Sequence, residues 1–116
     1  MILEEINGKL KETENNVFYG LAKTSVQDTL SRYIVFQSVR RVYNPNKTSF
    51  SDRFAVHLVS EKWVDKEWIK EVTKNVLTIS GMVVAGDGEY VQIHKGKTDT
   101  ILEMYSIEFA KTEKVM

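Results

Sequence analysis

The sequence has no cysteine, one proline (Pro45) and no net charge. Without cysteine there is no disulfide, no thiolate nucleophile and no cysteine-based zinc site, and an intracellular origin is expected. Sixteen basic residues balance sixteen acidic ones, which removes the bulk electrostatic argument for binding nucleic acid or membranes. Zero net charge also does little to keep copies apart, which is compatible with self-association. No apolar run approaches the ~20 residues of a membrane span. The start, Met1-Ile2-Leu3-Glu4-Glu5, lacks the basic and apolar regions of a signal peptide. There is no low-complexity segment, linker or internal repeat. The 116 residues therefore read as a single domain, long enough to bury roughly two-thirds of the unfolded surface in one core.

What is present is a series of short periodic segments. Residues 2–14 place Ile2, Leu3, Ile6 and Leu10 near helical spacing, with charged residues between. Val17–Gly20 reads as a short strand, and Ala22–Thr29 as a polar surface loop in which Thr24 or Ser25 could cap a turn. Leu30–Tyr43 is the first long strand: Ile34, Phe36 and Val42 are expected on one face, and Tyr33, Val35, Gln37, Val39, Arg41 and Tyr43 on the other. Asn44-Pro45-Asn46-Lys47 is a turn, with proline fixing φ and asparagine accepting the left-handed conformation. Phe50–Ser60 returns as the partner of a hairpin.

The unit Val64–Ala110 organises the rest. Asp65 is the expected N-cap of a helix over Asp65–Ile79, whose Trp68, Ile69, Val72, Val76 and Ile79 form an apolar stripe. Gly81 is the expected C′ residue. Met82–His94 follows as a strand interrupted at Gly86-Asp87-Gly88 by a turn or bulge, with Tyr90, Gln92 and His94 alternating against Val91 and Ile93. Gly96-Lys97-Thr98-Asp99 is a tip, Ile101–Phe109 the last strand, and Lys111–Met116 a polar, fraying tail. The fold class is α+β: a mostly antiparallel sheet of about four to five strands, with two helices packed on one face.

No residue pattern carries catalysis. Gly86-Asp87-Gly88 lacks the Lys-Ser/Thr of a phosphate loop and opens no helix. His57 and His94 would need a third ligand, such as Asp99 or Glu103, to hold a metal. Asp87, Glu89, Lys95, Asp99 and Glu103 lack the tight carboxylate–lysine spacing of a metal-dependent nuclease. Arg40 and Arg41 are neighbours on a strand and point to opposite faces, so they form no single basic patch. Trp68 reads as core; Trp63, just before the helix cap, reads as a staple or an interface residue. No cofactor or metal is expected, and the residues alone point to a small interaction domain.

Taken in order, several stretches resemble one family. They are Asn16-Val17-Phe18-Tyr19-Gly20, Tyr33-Ile34-Val35-Phe36 with Arg40-Arg41, and Phe50-Ser51-Asp52-Arg53-Phe54-Ala55-Val56. After them come Leu77-Thr78-Ile79-Ser80-Gly81, Ala85-Gly86-Asp87-Gly88-Glu89-Tyr90, and Lys97-Thr98-Asp99-Thr100-Ile101-Leu102-Glu103 with a strand ending in Phe109. Their order resembles the tail terminator, or tail completion, proteins of long-tailed bacteriophages, over most of the chain. The chain departs from the family pattern at Ser31-Arg32, where a tryptophan is common, and at the helix entry Val64-Asp65-Lys66-Glu67.

The resemblance implies a non-enzymatic virion protein of the tail or neck, assembled in the cytoplasm of a bacterial host. It would form a homo-oligomeric, hexameric ring on the last ring of the tail tube, stop tube growth and join the tail to the head connector. DNA would pass through the lumen without specific binding, and no membrane is involved. Arg40, Arg41, Asn44, Lys47, Trp63, Lys95, Lys97 and Asp99 are the candidate residues for contact with a neighbouring copy, the tube protein or the connector protein. The alternative within the virion is a head–tail connector or head-closure protein. A small metal-dependent nuclease and a nucleic-acid-binding module are the readings from other classes.

Overall fold

A computed structural model describes residues 2–20, 30–95 and 99–115 of the chain. These residues form helices α1 (Ile2–Lys11) and α2 (Lys66–Val76). They also form strands β1 (Val17–Tyr19), β2 (Arg32–Tyr43), β3 (Ser49–Glu61), β4 (Met82–Val84), β5 (Glu89–His94) and β6 (Ile101–Lys114). The architecture is α+β, with one more strand than the upper sequence expectation. The strand order is β1-β2-β3-β6-β4, and β5 also pairs with β6. Every pairing is antiparallel except that of β1 with β2. The residues 21–29 and the 96–98 tip, including Lys97, lie outside the described residues.

Both helices cover one face of the sheet. The stripe of α1 buries Ile6 and Leu10, and that of α2 buries Trp68, Val72 and Val76. They pack on Ile34 and Phe36 of β2, on Phe54, Val56 and Leu58 of β3, and on Ile107 and Phe109 of β6. Full burial of each such aliphatic or aromatic side chain stabilises the fold by about 1.5–3 kcal/mol. A smaller cluster occupies the opposite face, helix-free among the described residues: Tyr33, Val59 and Leu102, with Phe18, Leu30, Val35 and Met104 against it. Alternation along β2 and β3 thus places apolar residues on both sides where the strands are central.

The alternation breaks in β2. Ser38 pairs with Phe54, but Arg40 pairs with Arg53, so Val39 is an extra residue in a bulge. One inserted residue reverses the parity of everything beyond it. Arg41 and Tyr43 therefore share the helix side with Asp52 and Phe50, and Val42 moves to the helix-free side. That overturns the expectation that Val42 lies with Ile34 and Phe36 and that Arg41 and Tyr43 lie with Tyr33. The separation of Arg40 and Arg41 to opposite faces holds.

Four further boundaries differ from the sequence reading. Helix α2 stops at Val76, because the chain then tightens into turns: Thr78 N–H donates to Asn75 C=O, and Ile79 N–H to Val76 C=O. Gly81 has φ +80 but belongs to the turn into β4, not to the helix cap. At the hairpin tip the left-handed residue is Lys47, with φ 57, rather than an asparagine. Finally, the C-terminal segment does not fray after Ala110. It extends β6 to Lys114, which pairs with Ser49, and Val115 N–H donates to Thr48 C=O at 2.8 Å. The β2–β3 hairpin and this extension make a three-stranded arm, and the molecule is 51 Å long by 24 Å by 23 Å.

The segment Met82–His94 is split into β4 and β5 by residues 85–88. Both halves lie against β6: Val84 opposes Phe109 and Glu89 opposes Ser106. Gly86, with φ +93, makes the excursion. Gly88 is required for a different reason, since a Cβ there would fall on the Tyr105 hydroxyl.

Candidate interaction surfaces

The sequence-derived candidates separate into two groups at opposite ends of the long axis. Arg40, Arg41, Asn44 and Lys47 belong to the arm. Trp63, Lys95 and Asp99 lie at the other end, where β3 leaves the sheet and β5 turns toward β6.

On the arm, most of this chemistry is engaged internally. Arg41 Nε donates to Asp52 Oδ1 at 2.7 Å and Nη2 to Oδ2 at 3.1 Å, in the two-pronged geometry that suits a guanidinium and a carboxylate. Its guanidinium also lies over the Phe50 ring, 3.8 Å from the centroid. The bond to Asp52, and then one to Tyr43, raises the Arg41 pKa above its usual range. Asn44 closes the turn. Its Oδ1 accepts from Thr48 N–H (2.8 Å) and Ser49 N–H (3.1 Å), and its Nδ2 donates to Thr48 Oγ1 (2.9 Å). Lys47 reaches back over Tyr43, 5.7 Å from the ring centroid. Arg40 is different: it is exposed on the helix-free side opposite Arg53 and has no ion pair among the described residues. Ile2 and Leu3 of α1 line a groove of about 400 Å³ with Val39, Arg40 and Arg53.

At the other end, Lys95 is mostly covered, its side chain 14% exposed, and its Nζ bonds Glu61 Oε1 at 2.6 Å. Trp63 is 66% exposed and shares a groove of about 500 Å³ with Asp65, Lys66, Tyr90 and Glu103. Tyr90 is itself 54% exposed and leans on Tyr105, with ring centroids 4.6 Å apart. Asp99 is exposed. As expected, Asp65 caps α2, its Oδ1 accepting from Glu67 N–H at 2.9 Å.

Three constellations join residues too far apart in sequence to be paired by reading it. Glu103 Oε1 accepts from Val64 N–H at 2.9 Å, tethering the approach to α2. Glu14 Oε2 holds Arg32 Nε at 2.6 Å, and the Arg32 guanidinium lies 4.2 Å from the Trp68 ring centroid. His57 Nδ1 and Ser106 Oγ are 2.7 Å apart on the helix-free face. Half-burial lowers the His57 pKa below its usual 6.5 by desolvating the charged form. His57 borders an apolar groove of about 260 Å³ with Tyr33, Val35, Val59, Ile93 and Met104.

The structure does not bring the two histidines together. His94 shares the helix side with Tyr90 and Gln92, while His57 lies on the helix-free side, so the two cannot share an ion. Among the described residues, no three His, Asp or Glu side chains stand close enough together to hold a metal. Glu103, a possible third ligand on sequence grounds, is occupied by Val64. No helix among the described residues is long and apolar enough to cross a membrane.

Val83, Val84, Tyr90, Val91, Ile93 and Ile101 are all exposed along the β4–β5 side of the sheet, and Val39, Val42 and Tyr43 along the arm. No protein-family model matches the chain, and no curated protein matches it.

Proposed function

We propose that the chain is a structural protein that caps the tail tube of a long-tailed bacteriophage. In this reading several copies, six in the hexameric form that the resemblance implies, close into a ring on the last tube ring. The ring ends polymerisation and offers its other side to the head connector. DNA passes through without specific binding, and no catalytic step is involved.

One observation supports association most directly. Exposed apolar residues lie on two separate parts of the sheet, on β2 in the arm and on β4 and β5 at the opposite edge. A ring is closed by one patch meeting a different patch, so two unlike sticky sides suit it. Arg40 and Lys47 on the arm, and Trp63 and Asp99 at the far end, remain the residues proposed to contact neighbouring copies, tube or connector.

The test is tube growth. When this protein is added to the tail tube protein encoded with it, electron microscopy should find tubes that stop growing and carry added density at one end. Unchanged tube lengths, with binding only to the connector, would point to a head-closure protein instead. Divalent-metal-dependent DNA cleavage would replace both readings with the nuclease.

A further inference from the structure

Strand β5 lacks the devices that normally stop an exposed strand from pairing. On the opposite side of the sheet, β1 is only three residues long, and the overhang of β2 carries a bulge and two arginines. Strand β5 has six residues, all exposed, with no proline, lysine, glycine or bulge and a single fixed charge, Glu89, at its first position. Short length, charge and bulges are the usual protection of sheet edges.

The outward-facing backbone groups can be read from the ladder. Lys95 N–H donates to Thr100 C=O at 2.9 Å, inward toward β6. Alternation then turns the N–H and C=O groups of Tyr90, Gln92 and His94 outward, away from β6.

We propose that two copies of this chain pair antiparallel through β5, about a twofold axis normal to the sheet at Gln92. The strand's own sequence selects this register. Centred on Gln92, Tyr90 faces His94, Val91 faces Ile93 and Glu89 faces Lys95. The outward groups at 90, 92 and 94 then exchange about six hydrogen bonds. Val91 and Ile93, 41% and 37% exposed, cover each other on the helix-free face. Their partners across the ladder are Met104 and Leu102, so the apolar strip runs on through the joint. Lys95 is already held by Glu61, and an ammonium group has donors enough for Glu89 as well. Centring on Val91 sets Glu89 against Ile93, and centring on Ile93 sets Val91 against Lys95. Either shift loses the two charged pairs and keeps one apolar pair, Val91 with Val91 or Ile93 with Ile93, in place of two.

The pair does not depend on the ring. Adjacent copies of a ring that all face one way are not related by a twofold axis, so the pair is the form of the protein free of the tube. It buries an adhesive edge until assembly.

The absence of cysteine makes the test clean. Directly opposed residues of a hydrogen-bonded antiparallel pair have Cα atoms about 5.5 Å apart, within disulfide reach. Under oxidised glutathione, Gln92→Cys should form a covalent dimer. Val91→Cys, which faces Ile93 of the other copy, should link at least about tenfold more slowly. Gln92→Pro removes an outward N–H that β6 does not use, and should weaken the dimer measured by sedimentation at least about tenfold while the monomer stays folded. A wild-type protein monomeric at its highest soluble concentration, or equal cross-linking of the two cysteine variants, would overturn the pairing. Rings forming on tubes despite such a result would leave the capping reading intact.

Discussion

Glu103 is where a structural role and a chemical one can be separated most cleanly. The residue before the α2 cap, Val64, is 4% exposed, and its N–H has Glu103 Oε1 as acceptor at 2.9 Å. Glu103→Ala leaves that buried donor without its partner. A hydrogen bond to a charged group contributes about 1.5–3 kcal/mol, and an orphaned buried N–H costs a similar amount. For a chain of this length, 1 kcal/mol corresponds to about 4 °C in the unfolding midpoint, so a fall of about 6–12 °C is expected. Glu103→Gln keeps a carbonyl acceptor and loses only the charge, so it should recover about half of the loss. Thermal and urea unfolding followed by circular dichroism measure both variants. A Glu103→Ala midpoint equal to that of wild type would refute the tether. So would a Gln variant as damaged as the Ala variant, since the charge and not the acceptor would then be what matters.

Two other outcomes follow from single contacts. Gly88→Ala should cost about 1–3 kcal/mol, because the new methyl displaces Tyr105 from beneath the 85–88 excursion; the loss is read by urea unfolding and the ring's movement by the aromatic signals of Tyr105 and Tyr90. His57 introduces a pH dependence. Its folded pKa lies below 6.5, so as the pH falls past 6.5 the unfolded chain takes up the proton first. Stability therefore declines from that pH down to the folded pKa, and His57→Gln should flatten that part of the profile in unfolding measured across pH.

How far the sequence reaches is clear from particular residues. The apolar run Tyr33–Phe36 and the alternation Phe54–Leu58 are legible because burial on a sheet imposes a period of two on the side chains themselves. The stripe of α2 and the Asp65 cap are legible for the same reason, each being a local pattern. The bulge at Val39 is not local. It exists because β2 and β3 must stay paired to the arm's tip, and no residue type near Val39 announces it, so Val42 and Arg41 are assigned to the wrong faces. The end of β6 is hidden differently. Lys111-Thr112-Glu113-Lys114 looks like a solvated tail because its side chains are polar, yet its backbone satisfies Ser49–Asp52, and side-chain chemistry does not report a backbone ladder.

The candidate surfaces follow the same division. Residue type marked Asn44 and Lys95 as available polar groups, whereas the fold engages Asn44 in its own turn and Lys95 with Glu61. The partners that decide this lie tens of residues away for Lys95, and so do Val64 for Glu103 and Ser106 for His57. Trp63 and Asp99, by contrast, stay exposed, as does Arg40. The openness of β5 could have been anticipated from Glu89–His94, which contains no proline, lysine or glycine, had its place at the side of the sheet been known.

The most direct test of the capping role is the mass of the protein on the tube. Tubes grown with this protein, isolated and analysed by native mass spectrometry, should release a closed assembly of six 13.4 kDa chains located at one tube end. Tubes that carry none of the protein, or bind it along their length as separate chains, would contradict the account.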